Sequence, residues 1–272
     1  MTQEDADDDE VGWWAQEKYD RVAAYVDASR GARRKWLGAR GAGATYIDPF
    51  CGYPKGRVRE TNETYASGAI AACREAEKHG SQFTEVHIGD TRPEKVERTA
   101  EALEPFGISV HTYVGEARDT VPRICERLNP HGLHLAFLDP YNIANLELDM
   151  VQQLGQLRYI DIIAHVSIND LQRTIPLEIR NSSGGRVEKF APDWRNRVNL
   201  QQSKGRVVQS VLEYWQQRVG ECGMFRSDYA HLVRGGNRQP LYYLVFLCKN
   251  EFPDRIWRSI QELSGTTRHL GL

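Results

Sequence analysis

Residues 135–142 read Leu-Ala-Phe-Leu-Asp-Pro-Tyr-Asn, an apolar run that ends in an acid, a proline and an aromatic ring. The run is long enough for one buried strand, and open α/β sheets bind their ligands at the carboxyl ends of such strands. A second run of the same design, Tyr-Ile-Asp-Pro-Phe-Cys-Gly, occupies residues 46–52. Two strands that each end in Asp-Pro-aromatic predict one crevice built from two loops, one for a cofactor and one for the group that is modified. The pairing indicates a group-transfer enzyme.

Strand and helix patterns alternate on both sides of these runs. Apolar runs predict strands at 46–49, 83–89, 108–114, 133–138, 159–166 and 242–248. Helical spacing predicts helices at 67–78, 118–128, 146–157, 205–219 and 253–263, and a further helix that starts with a capping box formed by Thr91 and Glu94. This order predicts a Rossmann-like α/β fold, a doubly wound and mainly parallel sheet with helices on both faces.

The domain organisation follows from what surrounds this alternation. Residues 1–12 carry six acids and no base, so we expect a disordered acidic tail. Residues 13–272 are predicted to form one domain that begins with a helical segment at 13–40. Around 168–204 the pattern breaks into a polar, arginine-rich stretch with Pro176 and two adjacent glycines, which predicts an insertion or lid after the fifth strand.

Composition excludes several classes of protein. A hydrophobic content of 40% and a charged content of 26% are ordinary for a globular domain. No segment approaches the roughly 20 consecutive apolar residues of a membrane span, and the acidic start does not resemble an export signal. We therefore expect a cytoplasmic protein without membrane contact. The five cysteines are scattered, so reduced thiols are expected rather than a disulfide framework.

Charge is unevenly distributed along the chain. Residues 173–238 carry twelve Lys or Arg against six Asp or Glu, although the net charge of the whole chain is −2. Such a basic segment could face the phosphates of a nucleic acid. The interspersed acids fit an ordinary solvated surface equally well, and the sequence leaves both interpretations open.

The loop after the first strand has the character of a cofactor site. Asp48, Phe50 and Gly52 belong to it, and the glycine allows the backbone to approach a ligand closely. The G-x-G-x-x-G fingerprint of dinucleotide sites is missing from this loop, so a nicotinamide cofactor is the weaker prediction. A carboxylate at the head of the turn favours a ligand with a positive or hydrogen-donating end over pyrophosphate.

Acids also end the second and third strands. Asp90 can accept hydrogen bonds from both hydroxyl groups of a ribose, although it could instead serve as a charge at the start of the next helix. We favour the ribose role. Glu116 and Ala117 follow the third strand, where the acid can meet the exocyclic amine of an adenine or simply cap the helix at Arg118.

Asp139, Pro140 and Tyr141 are the candidate catalytic residues. A carboxylate or carbonyl oxygen at this turn can accept a hydrogen bond from an amino group, and a neighbouring aromatic ring can stack on a planar substrate. Asp-Pro-Tyr is also a good turn sequence, but its position opposite the first loop favours the chemical role. We expect no metal site, because His87, His111, His134 and His165 lie in predicted strands without a partner at metal-ligand spacing.

Taken together, these motifs resemble a known family. The runs at 46–52 and 135–141, Ser-Gly-Ala-Ile-Ala at 67–71, Asp90 and Tyr-Tyr-Leu-Val-Phe at 242–246 are similar to the three-Cys-motif partner proteins, TcmP, which are class I S-adenosylmethionine methyltransferases. The resemblance implies that Asp48, Phe50 and Gly52 form the first cofactor loop for S-adenosylmethionine, that Asp90 binds its ribose and that residues 139–141 face the transferred methyl group. It also implies a protein partner with a cysteine motif. Members of the family commonly read Asp-x-Phe-Ala-Gly-Pro-Gly in the first loop, where Cys51, Tyr53 and Pro54 stand here.

Two hypotheses from different classes result. The first is methyl transfer from S-adenosylmethionine to a nitrogen of a planar substrate, such as a nucleobase, catalysed mainly by positioning. The second is a catalytically weakened module that binds nucleotide or nucleic acid and serves a larger complex. The altered first loop and the basic segment at 173–238 are compatible with the second hypothesis.

Overall fold

The computed structural model describes residues 9–39, 41–181, 185–263 and 267–269. The strands are β1 (Asp9–Val11), β2 (Ala44–Asp48), β3 (Lys55–Val58), β4 (Thr64–Ala66), β5 (Glu85–Asp90), β6 (Ser109–Val114), β7 (Leu133–Leu138), β8 (Ile160–Ser167), β9 (Phe225–Arg226), β10 (Tyr229–Arg234), β11 (Pro240–Cys248) and β12 (Thr267–His269). The helices are α1 (Trp14–Ala28), α2 (Arg30–Arg34), α3 (Gly68–Lys78), α4 (Pro93–Leu103), α5 (Ala117–Arg127), α6 (Leu148–Leu154), α7 (Ile168–Asn181), α8 (Arg186–Phe190), α9 (Trp194–Arg197), α10 (Lys204–Gly220) and α11 (Glu251–Leu263).

The main sheet has the strand order β6-β5-β2-β7-β8-β11-β10-β12, and β9 pairs with β11. Strands β6, β5, β2, β7 and β8 are parallel, whereas β11 runs antiparallel to both β8 and β10. The chain winds outward from β2 in one direction and from β7 in the other, so the carboxyl ends of these two strands flank the switch point of the sheet. This order is typical of class I methyltransferases, and the predicted Rossmann-like fold is confirmed.

Hydrophobic cores cover both faces of the sheet. On one face α5, α6, α7, α8 and α10 pack around Trp194 and Trp215, both fully buried. On the other face α1, α3, α4 and α11 pack around Tyr46 and Trp257. Every residue of β2 is buried, as expected for a central strand of a parallel sheet that helices cover on both faces.

A small second sheet lies beside the first loop. Strands β3 and β4 form an antiparallel hairpin, and Asp9–Val11 pairs in parallel with Gly56–Val58. Regular structure therefore starts before the boundary at residue 13 that the acidic composition suggested. The remainder of the predicted disordered tail, residues 1–8, lies outside the described residues.

Two details differ from the sequence predictions. The helix after Thr91 begins with Arg92 as its N-cap and Pro93 as its first residue, and the predicted capping box is wrong because Thr91 lies outside the helix. The stretch at 168–204, predicted as an insertion or lid, contains α7, α8 and α9. Its helices bury Ile175, Phe190 and Trp194, so tertiary packing supplies the regularity that the polar, proline-interrupted sequence does not show.

In the part of the chain that the structure describes, no helix is both long enough and apolar enough to span a bilayer.

Candidate functional site

A cavity of about 750 Å³ opens at the carboxyl ends of the parallel strands. The loops after β2, β5, β6 and β7 form its wall, and α1, Tyr65 of β4 and His165 of β8 also line it. Eight of the nine residues that the sequence singled out line this one cavity: Phe50, Gly52, Asp90, Glu116, Ala117, Asp139, Pro140 and Tyr141.

The first loop is fixed by backbone contacts. Gly52 adopts a φ of 61°, a left-handed conformation that favours glycine, and its carbonyl oxygen accepts a 2.9 Å hydrogen bond from Thr99 Oγ1. The backbone N–H of Cys51 donates to the carbonyl oxygen of Gly89 at 2.8 Å. Because the loop is held against both α4 and the end of β5, it presents its backbone to the cavity without having to fold around a ligand.

Asp48 is the exception among the predicted cofactor residues. Its side chain is 1% exposed and does not line the cavity; Oδ1 accepts a 3.2 Å hydrogen bond from the backbone N–H of Phe50. Burial and the nearby Asp139 raise the pKa of Asp48 to about 8. The geometry therefore places Asp48 beneath the first loop, where it shapes the loop from behind, and the expectation that it contacts a ligand directly is not met.

Asp90 and Glu116 lie on the cavity wall in different surroundings. Asp90 Oδ1 accepts hydrogen bonds from the backbone N–H of Arg92 at 3.0 Å and from Thr91 Oγ1 at 3.4 Å, which orients the carboxylate at the end of β5. Glu116 is the N-cap residue of α5 and lies 3.0 Å from the Arg118 guanidinium. The capping alternative for Glu116 thus describes its position in the chain, although its side chain makes no hydrogen bond to the helix backbone.

Asp139 lies at the centre of a charged network that spans three elements. Lys18 Nζ of α1 is 2.5 Å from Oδ2, and His165 Nδ1 of β8 is 3.0 Å from Oδ1. The hydroxyl group of Tyr19 donates to Oδ2 at 3.4 Å. Both oxygens of the carboxylate are therefore in contact with cationic or hydrogen-donating groups.

This network sets the charge of Asp139. Burial alone would raise its pKa, but Lys18 and then His165 outweigh burial and hold the pKa well below its ordinary value of 3.8. Burial likewise opposes the charge of Lys18, yet Asp139 raises the lysine pKa above its ordinary value of 10.5. Asp139 and Lys18 therefore form a charged pair at neutral pH, with side chains that are only 10% and 14% exposed.

The loop after Asp139 forms the rim of the cavity. Pro140 is buried, whereas the side chain of Tyr141 is 96% exposed. The loop continues into a short turn in which Asn142 Oδ1 accepts from the backbone N–H of Ala144 and Asp170 Oδ2 accepts from that of Ile143, both at 2.9 Å. An exposed aromatic ring on an anchored loop is suited to stacking on a planar group at the cavity mouth.

Three basic side chains border this loop, and we call Arg173, Arg186 and Lys189 the basic rim. Arg173 lies 2.8 Å and Arg186 3.9 Å from Asp170 Oδ1, while Lys189 lies 3.3 Å from Glu147 Oε1. All three side chains remain largely exposed, between 47% and 68%. The basic rim belongs to the segment at 173–238 whose charge the sequence analysis singled out.

Sequence reasoning did not identify Lys18, Tyr19 or His165 as site residues. Lys18 and Tyr19 belong to a helix far from Asp139 in the chain, and His165 was interpreted as an ordinary strand residue. A signal existed only for His165, because it lies at the carboxyl end of the strand next to β7, on the same edge of the sheet as Asp139. Within the part of the chain that the structure describes, His165 Nε2 is buried without a hydrogen-bond partner, and the residue lines the cavity.

Comparisons with known proteins bear on the fold alone. No protein-family model and no curated protein matches the chain. Among solved structures, protein LPL1258 from Legionella pneumophila, of the family DUF519, is 10% identical with a TM-score of 0.52, over 90% of this chain and 94% of that one. An O-methyltransferase from Bacillus cereus in complex with S-adenosylhomocysteine is 12% identical with a TM-score of 0.47, over 85% and 81% of the two chains. Cofactor-bound Rv0187 from MTB is 15% identical with a TM-score of 0.45, over 85% and 79%.

Proposed function

We propose that the cavity binds S-adenosylmethionine and directs its methyl group to a nitrogen of a planar substrate such as a nucleobase. The observation that supports this proposal is the convergence of four strand-end loops on one cavity in a methyltransferase-like fold. The loops that bear Phe50, Gly52, Asp90 and Ala117 surround the cofactor half, and Asp139 with Tyr141 belongs to the acceptor half.

The residues present fit this cofactor. The volume of about 750 Å³ lies within the usual range for sites that enclose a small molecule. Gly115 adopts a φ of 145°, which glycine alone tolerates easily, so the backbone before Glu116 can lie close to a flat ring. The Asp90 carboxylate can accept hydrogen bonds from a ribose diol, and the unpartnered His165 Nε2 offers a further polar contact. When bound, S-adenosylmethionine supplies an electrophilic methyl group on a sulfonium.

Asp139 would orient the acceptor. Its carboxylate is charged at neutral pH and can accept a hydrogen bond from an amine, which directs the nitrogen lone pair and stabilises positive charge that develops on the nitrogen. Because its pKa lies well below the ordinary range, Asp139 holds a proton poorly, and the proton released from the amine passes on to solvent. Positioning is thus the main contribution of this residue.

Lys18 limits access to Asp139 in the present arrangement. Its ammonium group lies 2.5 Å from Oδ2, so an acceptor amine has to share or take over this contact. We infer that α1 or the Lys18 side chain shifts when the acceptor binds. The same contact is the observation that favours the alternative function, a weakened module whose acceptor position is filled by its own lysine.

Calorimetry with S-adenosylhomocysteine tests the cofactor half. We expect micromolar binding by the wild type and by the control Asp149→Asn, which changes an exposed acid on α6, and loss of binding in Asp90→Ala. Absence of binding by the wild type, or full binding by Asp90→Ala, contradicts the assignment of the site.

Transfer of a labelled methyl group tests the acceptor half. Purified enzyme with methyl-labelled S-adenosylmethionine is incubated with nucleosides, RNA, DNA and cell-extract protein, and methylated products are identified by mass spectrometry. Methylated nitrogen in the wild-type reaction and none with Asp139→Ala, which removes the acceptor oxygens, is the expected result. Cofactor binding without any transfer shifts the assignment to the partner module.

The alternative, a partner module, rests on the altered first loop and the basic segment at 173–238, and the resemblance to the TcmP family implies its protein partner. On that reading the chain binds a protein with a cysteine motif, and the basic rim contacts nucleic acid. Retention on single-stranded RNA or DNA that disappears as salt is raised supports the nucleic-acid contact.

A further inference from the structure

Three side chains that can bind a metal meet on the sheet face that α5 covers, away from the cavity. They are Glu85 and His87 of β5 and His111 of β6, and their ligand atoms lie within 4.8 Å of one another. Alternate residues of a strand share a face, which brings Glu85 to the side of His87, and His111 is the register partner of His87 across the parallel pair. Glu85 Oε2 lies 3.8 Å from His87 Nε2 and 3.6 Å from His111 Nε2.

His87 carries the second observation. Its side chain is fully buried, and Nδ1 lies 2.9 Å from the hydroxyl group of Tyr113. Its other ring nitrogen, Nε2, is buried without a hydrogen-bond partner among the described residues and lies on the side of the ring that approaches Glu85. A buried polar atom without a partner costs free energy, and a metal ligand whose second nitrogen is held by a neighbouring group is the usual arrangement in metal sites.

We propose that Glu85, His87 and His111 bind one Zn²⁺ ion. Two imidazoles and one carboxylate suit zinc rather than magnesium or calcium, which prefer oxygen ligands. In a tetrahedral site with bonds of roughly 2.1 Å, neighbouring ligand atoms are roughly 3.4 Å apart. The two separations from Glu85 Oε2 exceed this value by only a few tenths of an ångström. The ligand atoms of His87 and His111 lie within 4.8 Å of each other, and rotation of the partly exposed His111 ring would close that separation.

The surroundings allow an ion to enter. The side chains of Glu85 and His111 are 26% and 25% exposed, so solvent reaches the cluster and water can supply the fourth ligand. Arg127 Nη2 lies 3.4 Å from His111 Nδ1, and its exposed side chain can turn away when that nitrogen carries a proton in the metal-bound ring. Because β6 is the edge strand, the ion would fasten this strand to β5.

Zinc titration of the full chain tests the site. Protein treated with a chelator is titrated with Zn²⁺ by calorimetry, and the visible spectrum of added Co²⁺ reports nitrogen ligation. We expect one ion per chain in the wild type, together with a higher urea midpoint in its presence. His111→Ala and Glu85→Gln are expected to weaken binding at least roughly ten-fold, since even loss of a supporting partner costs that much.

A second cluster in the same chain supplies the matched control. Asp27, Glu75 and His79 also place three ligand atoms together, but each is partly exposed and His79 already pairs with both acids. The variant His79→Ala is expected to bind zinc as tightly as the wild type. The proposal is overturned if the wild type binds no zinc, if His111→Ala keeps its affinity, or if His79→Ala is the variant that loses it.

Discussion

The ion pair between Lys18 and Asp139 ties the N-terminal helix to the strand that carries the candidate catalytic acid. Replacement of Lys18 by Met leaves the buried carboxylate without its strongest partner, and removal of one partner of a buried pair costs on the order of 3 kcal/mol of unfolding free energy. Urea unfolding at neutral pH measures the difference. Lys204→Met, which changes an exposed lysine at the start of α10, serves as control and should cost less than about 0.5 kcal/mol.

The pH dependence of the stability lost in Lys18→Met is a separate check on the charged pair. The folded-state pKa of Asp139 is lowered, so the pair contributes stability above the ordinary value of 3.8, and this contribution is lost as the pH falls towards the folded pKa. The penalty of Lys18→Met should therefore shrink in acid. A penalty that stays constant between neutral pH and strong acid shows that lost packing, not charge, accounts for it.

Asp48 should make stability depend on pH in the opposite direction. Its folded pKa of about 8 exceeds the ordinary 3.8, so over that interval the folded state holds a proton that the unfolded state releases. Stability then falls by about 1.4 kcal/mol for each unit of rising pH. Asp48→Asn keeps an oxygen for the Phe50 N–H but does not titrate, so its stability relative to the wild type should increase from pH 5 to pH 8.

Denaturant unfolding at several pH values measures that trend. Burial raises the pKa of Asp161 to about 7, so Asp161 also makes stability fall with rising pH. This contribution is the same in the wild type and in Asp48→Asn and cancels when the two are compared. A flat difference for Asp48→Asn would show that Asp48 is ionised in the folded protein.

Close packing at the start of α3 requires a glycine at position 68. A Cβ atom on Gly68 would lie 2.8 Å from Phe137 Cδ1 and 3.1 Å from Asp48 Oδ2. Gly68→Ala should therefore lower the free energy of unfolding by about 1 to 3 kcal/mol through overpacking. Gly205→Ala lies near the start of α10 with no atom within 4 Å of the new Cβ, and it should stabilise the protein slightly. Equal melting temperatures for the two variants would contradict this packing argument.

The helices and strands that could be predicted from sequence are those whose own residues show which face is buried. Strands β2 and β7 and helices α3 and α10 were predicted to within a few residues, because each has an apolar run or a helical stripe that only one kind of element can bury. Helix α7 was not predicted, because Pro176 interrupts its pattern of apolar residues. These residues are buried only by packing against α10 and β11, which the local sequence does not show. The small sheet formed by β1, β3 and β4 depends on strands too short for any pattern.

The candidate site divides in the same way. The loops after β2, β5, β6 and β7 could be located from sequence, because parallel strands bring their carboxyl ends to one edge. The partners of Asp139 could not be located in this way, because Lys18 and Tyr19 belong to a helix that precedes the sheet. The apolar pattern of a helix shows which of its faces is buried but not which loop that helix packs against. The proposed zinc ligands were not recognised from sequence, because Glu85 of β5 was not considered as a neighbour of His111 on the adjacent strand β6.

For the whole molecule, the distribution of charge matters more than its sum of −2. The basic rim lies on the sheet face covered by α7 and α8, beside the loop that carries Tyr141, whereas Arg74, Lys78 and Arg98 are exposed on helices of the opposite face. If the acceptor is a nucleic acid, its phosphates lie along the basic rim while a base enters the cavity. Phosphate contacts release counterions, and each contributes roughly 0.7 to the salt dependence of binding to single strands.

Replacement of the three basic-rim residues by Gln should therefore weaken binding of a single-stranded oligonucleotide and lower the slope of log affinity against log salt by roughly 2. The same change at Arg74, Lys78 and Arg98 removes equal charge from the opposite face and should leave the slope nearly unchanged. Fluorescence anisotropy at several salt concentrations measures both. Equal slopes for the two triple variants would mean that net charge alone drives association and would contradict a nucleic-acid contact at the basic rim.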